Sequence, residues 1–325
     1  MINETPDEDV PEGHVITLHL LTPENGLETI DATTDRDGKF NFHQVPFLGS
    51  GRYLLSCEFD GIDYSLEFTE EDARQPLFLT VFAASSELSL ITHRSHIWLL
   101  QNADPESGIL SALEIALIEN PHNKTFKPSL DQPGNMQFLR FSIPFGAHGL
   151  NVQSDLRGGE IIDVGTGFGL TSPIRPGSHQ IVFSYLFPYE DSQTDVSKRF
   201  LQDVEVFRLL VPPDIGNVSR STLEVAESTT IGDITYKAWE TREILSGNEL
   251  EIYLSDLPQL SFWDRFSKSI TRGTGLTVGI PAALGAGLII LLLYTAVVRR
   301  NVPIHKSVSL YSESGQTTQD QLDEG

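Results

Sequence analysis

The sequence predicts a mainly β protein: two consecutive antiparallel β-sandwich domains, one C-terminal transmembrane α-helix and a disordered tail. Three observations carry this. Residues 14–257 read as short alternating or apolar runs between clusters of Gly, Pro, Asn and Asp, with no long 3.6-residue period among them. Residues 276–298 carry no charged side chain and stop at Arg299-Arg300. About 23 helical residues reach roughly 35 Å, enough to cross a hydrocarbon core of about 30 Å with some tilt. The roughly 275 residues outside that span and its tail exceed what one hydrophobic core usually serves, so two domains are expected.

Taken in order, residues 1–13 are acidic and polar and are expected to be disordered. The first sandwich is placed at 14–83. Val15–Leu21 alternates, with Val15, Thr17, His19 and Leu21 on one face and Ile16, Leu18 and Leu20 on the other. Glu28–Thr33 follows a Pro-Glu-Asn-Gly turn, and Lys39–His43 follows Asp-Arg-Asp-Gly. In that turn Asp35 and Asp37 are expected to bond turn amides while Gly38 takes the positive φ, which sends Phe40 and Phe42 to one face. Arg52–Phe59 and Ile62–Phe68 flank Asp60-Gly61, a strong hairpin signal. Leu77–Phe82 closes the set. Cys57, the single cysteine, sits in an apolar strand-like run and reads as a small buried hydrophobe; one cysteine permits no intrachain disulfide.

The residues Thr34, Asp35, Asp37, Gly38, Phe40, Phe42, Val45 and Pro46, followed by Tyr53 and Gly61, carry a resemblance. The stretch 14–83 resembles the carboxypeptidase-regulatory-like, transthyretin-like sandwich domains. The resemblance implies the fold of about a fifth of the chain and no particular function, because such domains are attached to many unrelated proteins.

Residues 85–257 are expected to form a second, larger sandwich. Its strands are placed at Leu88–Thr92, His96–Leu100, Ala112–Glu119, Met136–Ile143, Gly159–Val164, Gln180–Phe187, Val204–Val211, Ile234–Trp239 and Glu249–Leu254. The runs ALEIALIEN, LRFSIPFGAHGL and GFGLTSPIRPGSHQIVFSYLFPY resemble a region that accompanies the first sandwich in membrane-anchored bacterial proteins, which implies an envelope location. Residues 258–274 form a juxtamembrane linker whose Trp263 and Phe266 suit the headgroup layer, with Arg299 and Arg300 as anchors on the far side. The transmembrane helix is placed at 275–298 and the polar tail at 299–325. Gly275, Gly279, Ala283 and Gly287 recur every four residues, so they line one helix face on which a second helix can approach closely.

Asp+Glu number 45 against Lys+Arg 22, a net charge of -23, and such a surface repels nucleic-acid phosphate. A metallocarboxypeptidase would need an H-x-x-E zinc pair, and none of the nine His residues has Glu three positions on. His93 and His96 form HxxH; on a regular strand these positions point to opposite faces, so they read as surface histidines at a loop-to-strand junction. Gly165-x-Gly167-x-Gly169 lacks the Lys-Ser/Thr of a phosphate loop and reads as a glycine-rich β-turn. Asp-Arg-Asp-Gly lacks the later ligands of a calcium loop. No catalytic, cofactor or metal residue is therefore assigned.

The expected function is that of a non-enzymatic, single-pass envelope protein. Its head lies outside the cytoplasm, its tail inside, and the head binds a protein, peptide or glycan. The alternatives are an accessory subunit of a membrane complex (biogenesis, transport or cytochrome maturation) docked through Gly275–Gly287, and a hydrolase with a hidden site in 85–257. The partners implied are the lipid bilayer and another membrane or envelope protein, or a second copy through the helix.

Overall fold

A computed structural model describes residues 1–22, 26–46, 52–130 and 136–260. Strands take 57% of these residues and helix is limited to two single 3-10 turns, Asp72–Arg74 and Leu88–Leu90, so the chain is mainly β with several sheets.

The first part contributes β1 (Ile2–Asn3), β2 (Val15–Thr22), β3 (Gly26–Thr33), β4 (Arg52–Phe59), β5 (Ile62–Phe68), β6 (Thr80–Val81) and β7 (Ala84–Ser85). Four strands form an antiparallel sheet in the order β3-β2-β4-β5. Alternation decides its faces: Ile16, Leu18 and Leu20 of β2 and Tyr53, Leu55, Cys57 and Phe59 of β4 all turn inward. The β4–β5 turn is closed by Asp60 and Gly61, both at positive φ, the conformation that a two-residue hairpin needs. Two sequence expectations change. Residues 1–13 are structured: β1 pairs in parallel with β6, Met1 is buried, and the Thr5 hydroxyl donates to the Asn123 carbonyl at 2.8 Å. Lys39–His43 is not a strand; Phe40 and Phe42 instead meet edge to face at 5.8 Å, half-buried against the cluster.

The rest contributes β8 (Thr92–Asp104), β9 (Ile109–Asn120), β10 (Thr125–Phe126), β11 (Leu139–Ser142), β12 (His148–Ser154), β13 (Ile161–Asp163), β14 (Gly167–Leu170), β15 (Gly177–Pro188), β16 (Gln193–Arg199), β17 (Val204–Val211), β18 (Asn217–Ser221), β19 (Glu224–Ile231), β20 (Ile234–Ile244) and β21 (Glu249–Ser255). Seven strands build one sheet in the order β12-β15-β9-β8-β17-β20-β19, antiparallel except for β17 against β8. Two three-stranded sheets, β16-β21-β18 and β11-β14-β13, bury their apolar residues in the same cluster as one face of the large sheet. Leu88–Thr92 is thus mostly a 3-10 turn rather than a strand, and β12, β14, β16, β18 and β19 lie where no strand was expected.

The two parts meet through polar contacts. The Arg175 guanidinium lies over the Tyr64 ring at 4.8 Å and donates to the Asp63 carbonyl at 2.6 Å. Lys127 Nζ donates to the Asp60 carbonyl at 2.9 Å, and Arg157 to Ser65 Oγ at 2.7 Å. Tyr64 Oη donates its one proton to the Phe82 carbonyl, so Thr125 Oγ1 donates to Tyr64, each at 2.8 Å. Among the described residues no helix is long and apolar enough to cross a membrane. The 275–298 segment lies outside them, as do Trp263, Phe266, Arg299, Arg300 and the face Gly275, Gly279, Ala283 and Gly287.

Candidate functional site: a buried polar cluster

The inner face of the seven-stranded sheet holds an unexpected group of side chains. Glu114 sits at the middle of β9, in a row with Leu110, Ala112, Ala116 and Ile118, and all five are fully buried. Leu113 and Ile115, on the other face, are only half-buried, and Leu117 is exposed. The sequence suggests the reverse, because the odd-numbered positions are the bulkier apolar set. The outcome follows from space: Ala112 and Ala116 leave room under the opposing sheet for large side chains from other strands.

Three strands converge on the Glu114 carboxylate. Lys198, from β16 in a different sheet, donates to Oε1 at 2.6 Å and also reaches Oε2. The Tyr185 hydroxyl, from β15, donates to Oε1, and His96 Nε2, from β8, meets Oε2. Lys198 spends a further proton on the Ser142 carbonyl of β11 at 2.7 Å and lies 5.5 Å over the Phe183 ring. His96 Nδ1 is 3.2 Å from His93 Nε2. The Glu114–Lys198 pair thereby links the seven-stranded sheet to both three-stranded sheets, the carboxylate reaching β16 and the ammonium reaching β11.

His93 and His96 correct the sequence reading: both are buried, not on the surface. The cause is a bulge. His93 stands opposite Ile118 and Ser95 opposite Leu117, so β8 carries one extra residue, Arg94, at that step. The bulge shifts the alternation by one and turns both imidazoles inward. Arg94 is left outside, where it pairs with Glu119 and Glu205.

The electrostatics follow from burial. Loss of water pushes the His93 and His96 pKa values down, further lowered by the Lys198 charge, so both rings are neutral near neutral pH. Burial alone would raise the Glu114 pKa, but Lys198 and His96 outweigh it and hold the carboxyl below its ordinary value. Burial lowers the Lys198 pKa against the pull of Glu114. Tyr185 is raised by burial and by the adjacent carboxylate, which keeps its proton in place as a donor. The cluster therefore holds one anion and one cation in direct contact.

Its chemistry is bounded by its walls. Beside it lies a cavity of about 10 Å³ lined by His93, His96, Lys198 and Gln202, with room for a single water. Gln202 Nε2 and Arg140 Nε, which border this space, are buried without a hydrogen-bond partner among the described residues. Both are donors that such a water would satisfy. A substrate has no space there. The four hydrogen bonds to Glu114 occupy its lone pairs, and among the described residues no group of His, Cys, Asp and Glu is arranged to hold a metal ion. As built, the arrangement ties sheets together.

The other sequence-singled residues fall elsewhere. Asp35 Oδ1 accepts from the Asp37 and Lys39 amides at 2.9 and 2.8 Å, Gly38 stands at φ +73°, and Asp37 pairs with Lys39 Nζ instead of a turn amide. A Cβ on Gly38 would come within 2.7 Å of the Met1 carbonyl oxygen. Gly165 does stand in a turn, but Gly167 and Gly169 belong to buried β14: a Cβ on Gly167 would strike the Phe141 carbonyl, and one on Gly169 the Phe138 ring. Those glycines serve close packing. Cys57 is buried, and burial pushes its thiol up to about 11, which leaves it unreactive at neutral pH. In the first part, Leu18, Phe40, Phe42, Tyr53, Leu55 and Phe68 line a cleft of about 810 Å³.

No family model matches the chain, and no curated protein does. Among solved structures it is similar to an M1 zinc metallopeptidase from Deinococcus radiodurans, with a TM-score of 0.33 and 10% identity over 51% of this chain and 42% of that one. An aminopeptidase N family protein from Idiomarina loihiensis follows at TM-score 0.28 and 7% identity, covering 49% of this chain and 29% of that one. An acetylcholine-binding protein from Biomphalaria glabrata stands at TM-score 0.18 and 12% identity, over 51% and 86%. The chain thus spans less than half the length of the peptidases it matches, and likeness at this level assigns no activity.

Proposed function

We propose that this is a non-enzymatic, single-pass membrane protein whose β-rich head binds a protein, peptide or glycan partner outside the cytoplasm. In this reading the head is two consecutive antiparallel sandwiches, 14–83 and 85–257, the first of the carboxypeptidase-regulatory-like kind, and residues 275–298 are the transmembrane helix. The observation that carries it is the uncharged run 276–298, which follows a β-rich head with its own buried cores. The separation of the cores supports two domains: one hydrophobic cluster draws on residues 1–84 and another on residues 88–257. The sealed state of the Glu114 cluster supports a structural role for that cluster. The cleft beside Phe40 and Phe42 offers an apolar surface of the size that takes a peptide or small ligand.

Carbonate extraction combined with protease protection of sealed membranes tests this. The expected result is a chain that stays in the pellet and a head digested only from the non-cytoplasmic side. Release into the carbonate supernatant would overturn the anchor, and protection of the head from that side would reverse the orientation. The accessory-subunit reading rests on the small-residue face Gly275, Gly279, Ala283 and Gly287. It requires a stoichiometric partner in mild detergent that Gly279→Ile displaces.

A further inference from the structure

Strand directions divide the large part into two ends. β8 finishes at Asp104 and β9 begins at Ile109, and Ile109 pairs with Pro188 at the finish of β15. Since β17 runs parallel to β8, it finishes at this same end, and the antiparallel hairpin β19–β20 turns there, at Ile231–Ile234. The loop before β12 joins them: a Cβ on Gly146 would lie 3.0 Å from the Pro188 side chain. The first part of the chain attaches at the opposite end, where β7 pairs with β10 just beyond the finish of β9.

Three large apolar side chains project from this distal end. Phe145, at the tip of the loop closed by the Ala147 amide on the Pro144 carbonyl, is fully exposed. Ile231 and Ile234 flank the β19–β20 turn and are 47% and 46% exposed. The chain also leaves the head here. Tyr189, directly after β15, donates its hydroxyl to the Pro258 carbonyl at 2.8 Å, and the Leu257 amide donates to Ser192. The sequence then continues into Phe262, Trp263 and Phe266 and the uncharged run.

We propose that this end of the head, through Phe145 and the Ile231–Ile234 tip, dips into the interfacial layer of the bilayer, so that the head sits down on the membrane. The inference rests on the anchor reading above and goes beyond it, because a 17-residue linker (258–274) extends to as much as about 60 Å and does not by itself bring the head to the surface. Exposed aromatic and aliphatic tips suit the headgroup boundary. Asp104, Glu106, Glu190, Asp191 and Asp233 share this end, so the lipid it meets is zwitterionic rather than anionic.

The full chain, reconstituted in phosphatidylcholine vesicles, is labelled with an environment-sensitive fluorophore at Phe145→Cys, Asp233→Cys or, as a control at the opposite end, Leu245→Cys. Leu245 is 62% exposed and follows β20 directly. Buried Cys57 stays unlabelled and the parent chain gives the blank. The expected result is blue-shifted emission at 145 and 233 that a shallow lipid-borne quencher reduces, and water-like, unquenched emission at 245. If 145 and 233 match 245 while the chain resists carbonate, the seated head is overturned and the anchor stands. If the chain washes off, the anchor reading falls; quenching at 145 before the wash then supports lipid contact by itself, and its absence overturns both.

Discussion

The two largest hydrophobic clusters reach the same end by different chemistry. The cluster of residues 1–84 is apolar throughout, with Cys57 acting as one more hydrophobe and the Tyr64 hydroxyl turned to its rim. The cluster of residues 88–257 encloses a carboxylate, an ammonium, two imidazoles and a phenol. A purely apolar interior is specified by which face is greasy and how much volume it fills, and it tolerates repacking so long as both are kept. A buried ion pair tolerates none, because any shift strands a charge in low dielectric. We read the Glu114–Lys198 contact as the element that sets the register of three sheets against one another.

The largest effect expected follows directly. Glu114→Ala leaves the Lys198 ammonium buried without its anion, and Lys198→Met leaves the carboxylate without its cation; each should cost about 3–5 kcal/mol in denaturant unfolding. The double variant Glu114→Leu/Lys198→Met removes both charges and should recover most of that loss. A double variant as unstable as either single one would mean that the pair is not the source of the cost. In the apolar cluster no such rescue exists. Leu18→Ala should cost about 3 kcal/mol through the cavity it opens. That loss should add to the Lys198→Met loss, since the two sites belong to separate clusters.

This contrast also explains what was legible in the sequence. The first part could be read from alternation and turn chemistry: Ile16-Leu18-Leu20 faces inward, and Asp60-Gly61 closes its hairpin. There polarity and burial agree. In the second part they do not. Glu114 occupies an inward position that alternation assigns to solvent, and Lys198 follows Thr194 and Val196 on the buried face of a strand rich enough in polar residues to pass for a loop. The bulge at Arg94, which turns His93 inward, leaves no trace in residue type. A signal did exist: HxxH, a lone Glu among alanines and Thr-x-Val-x-Lys-x-Phe are each odd on their own terms. Their convergence depends on pairing between strands far apart in the chain, which a single sequence does not display.

A smaller effect separates the clusters by pH. His93 and His96 have pKa values lowered by folding, so as pH falls below their ordinary value of 6.5 the unfolded chain binds more protons than the folded one and stability drops. Glu114, also lowered, acts in the same direction below the ordinary carboxyl value of 4.5. The charged groups around the imidazoles are Glu114, Lys198 and, across the small cavity, Arg140, and protonating His93 adds a cation beside Lys198 without adding an anion. The thermal midpoint should therefore fall between pH 7 and pH 5, and His93→Phe should flatten that fall. An equally steep fall in His93→Phe would place the acid sensitivity outside this cluster.

The smallest effect lies where the two parts touch. Arg175 is half-buried; it stacks on Tyr64 and caps the Asp63 carbonyl, so Arg175→Ala removes a cation–π contact and one hydrogen bond. Together these are worth about 1 kcal/mol at a partly solvated site. The consequence to look for is coupling rather than size. If the contact joins two separately cored bodies, Arg175→Ala should spread one unfolding transition into two, the apolar cluster and the charged cluster then melting on their own terms. The cycle of Arg175→Ala with Tyr64→Leu should give a coupling energy of about 0.5–1 kcal/mol. Strict additivity, with a single transition retained, would mean that the β7–β10 pairing and the Thr5–Asn123 bond hold the parts together without this cation.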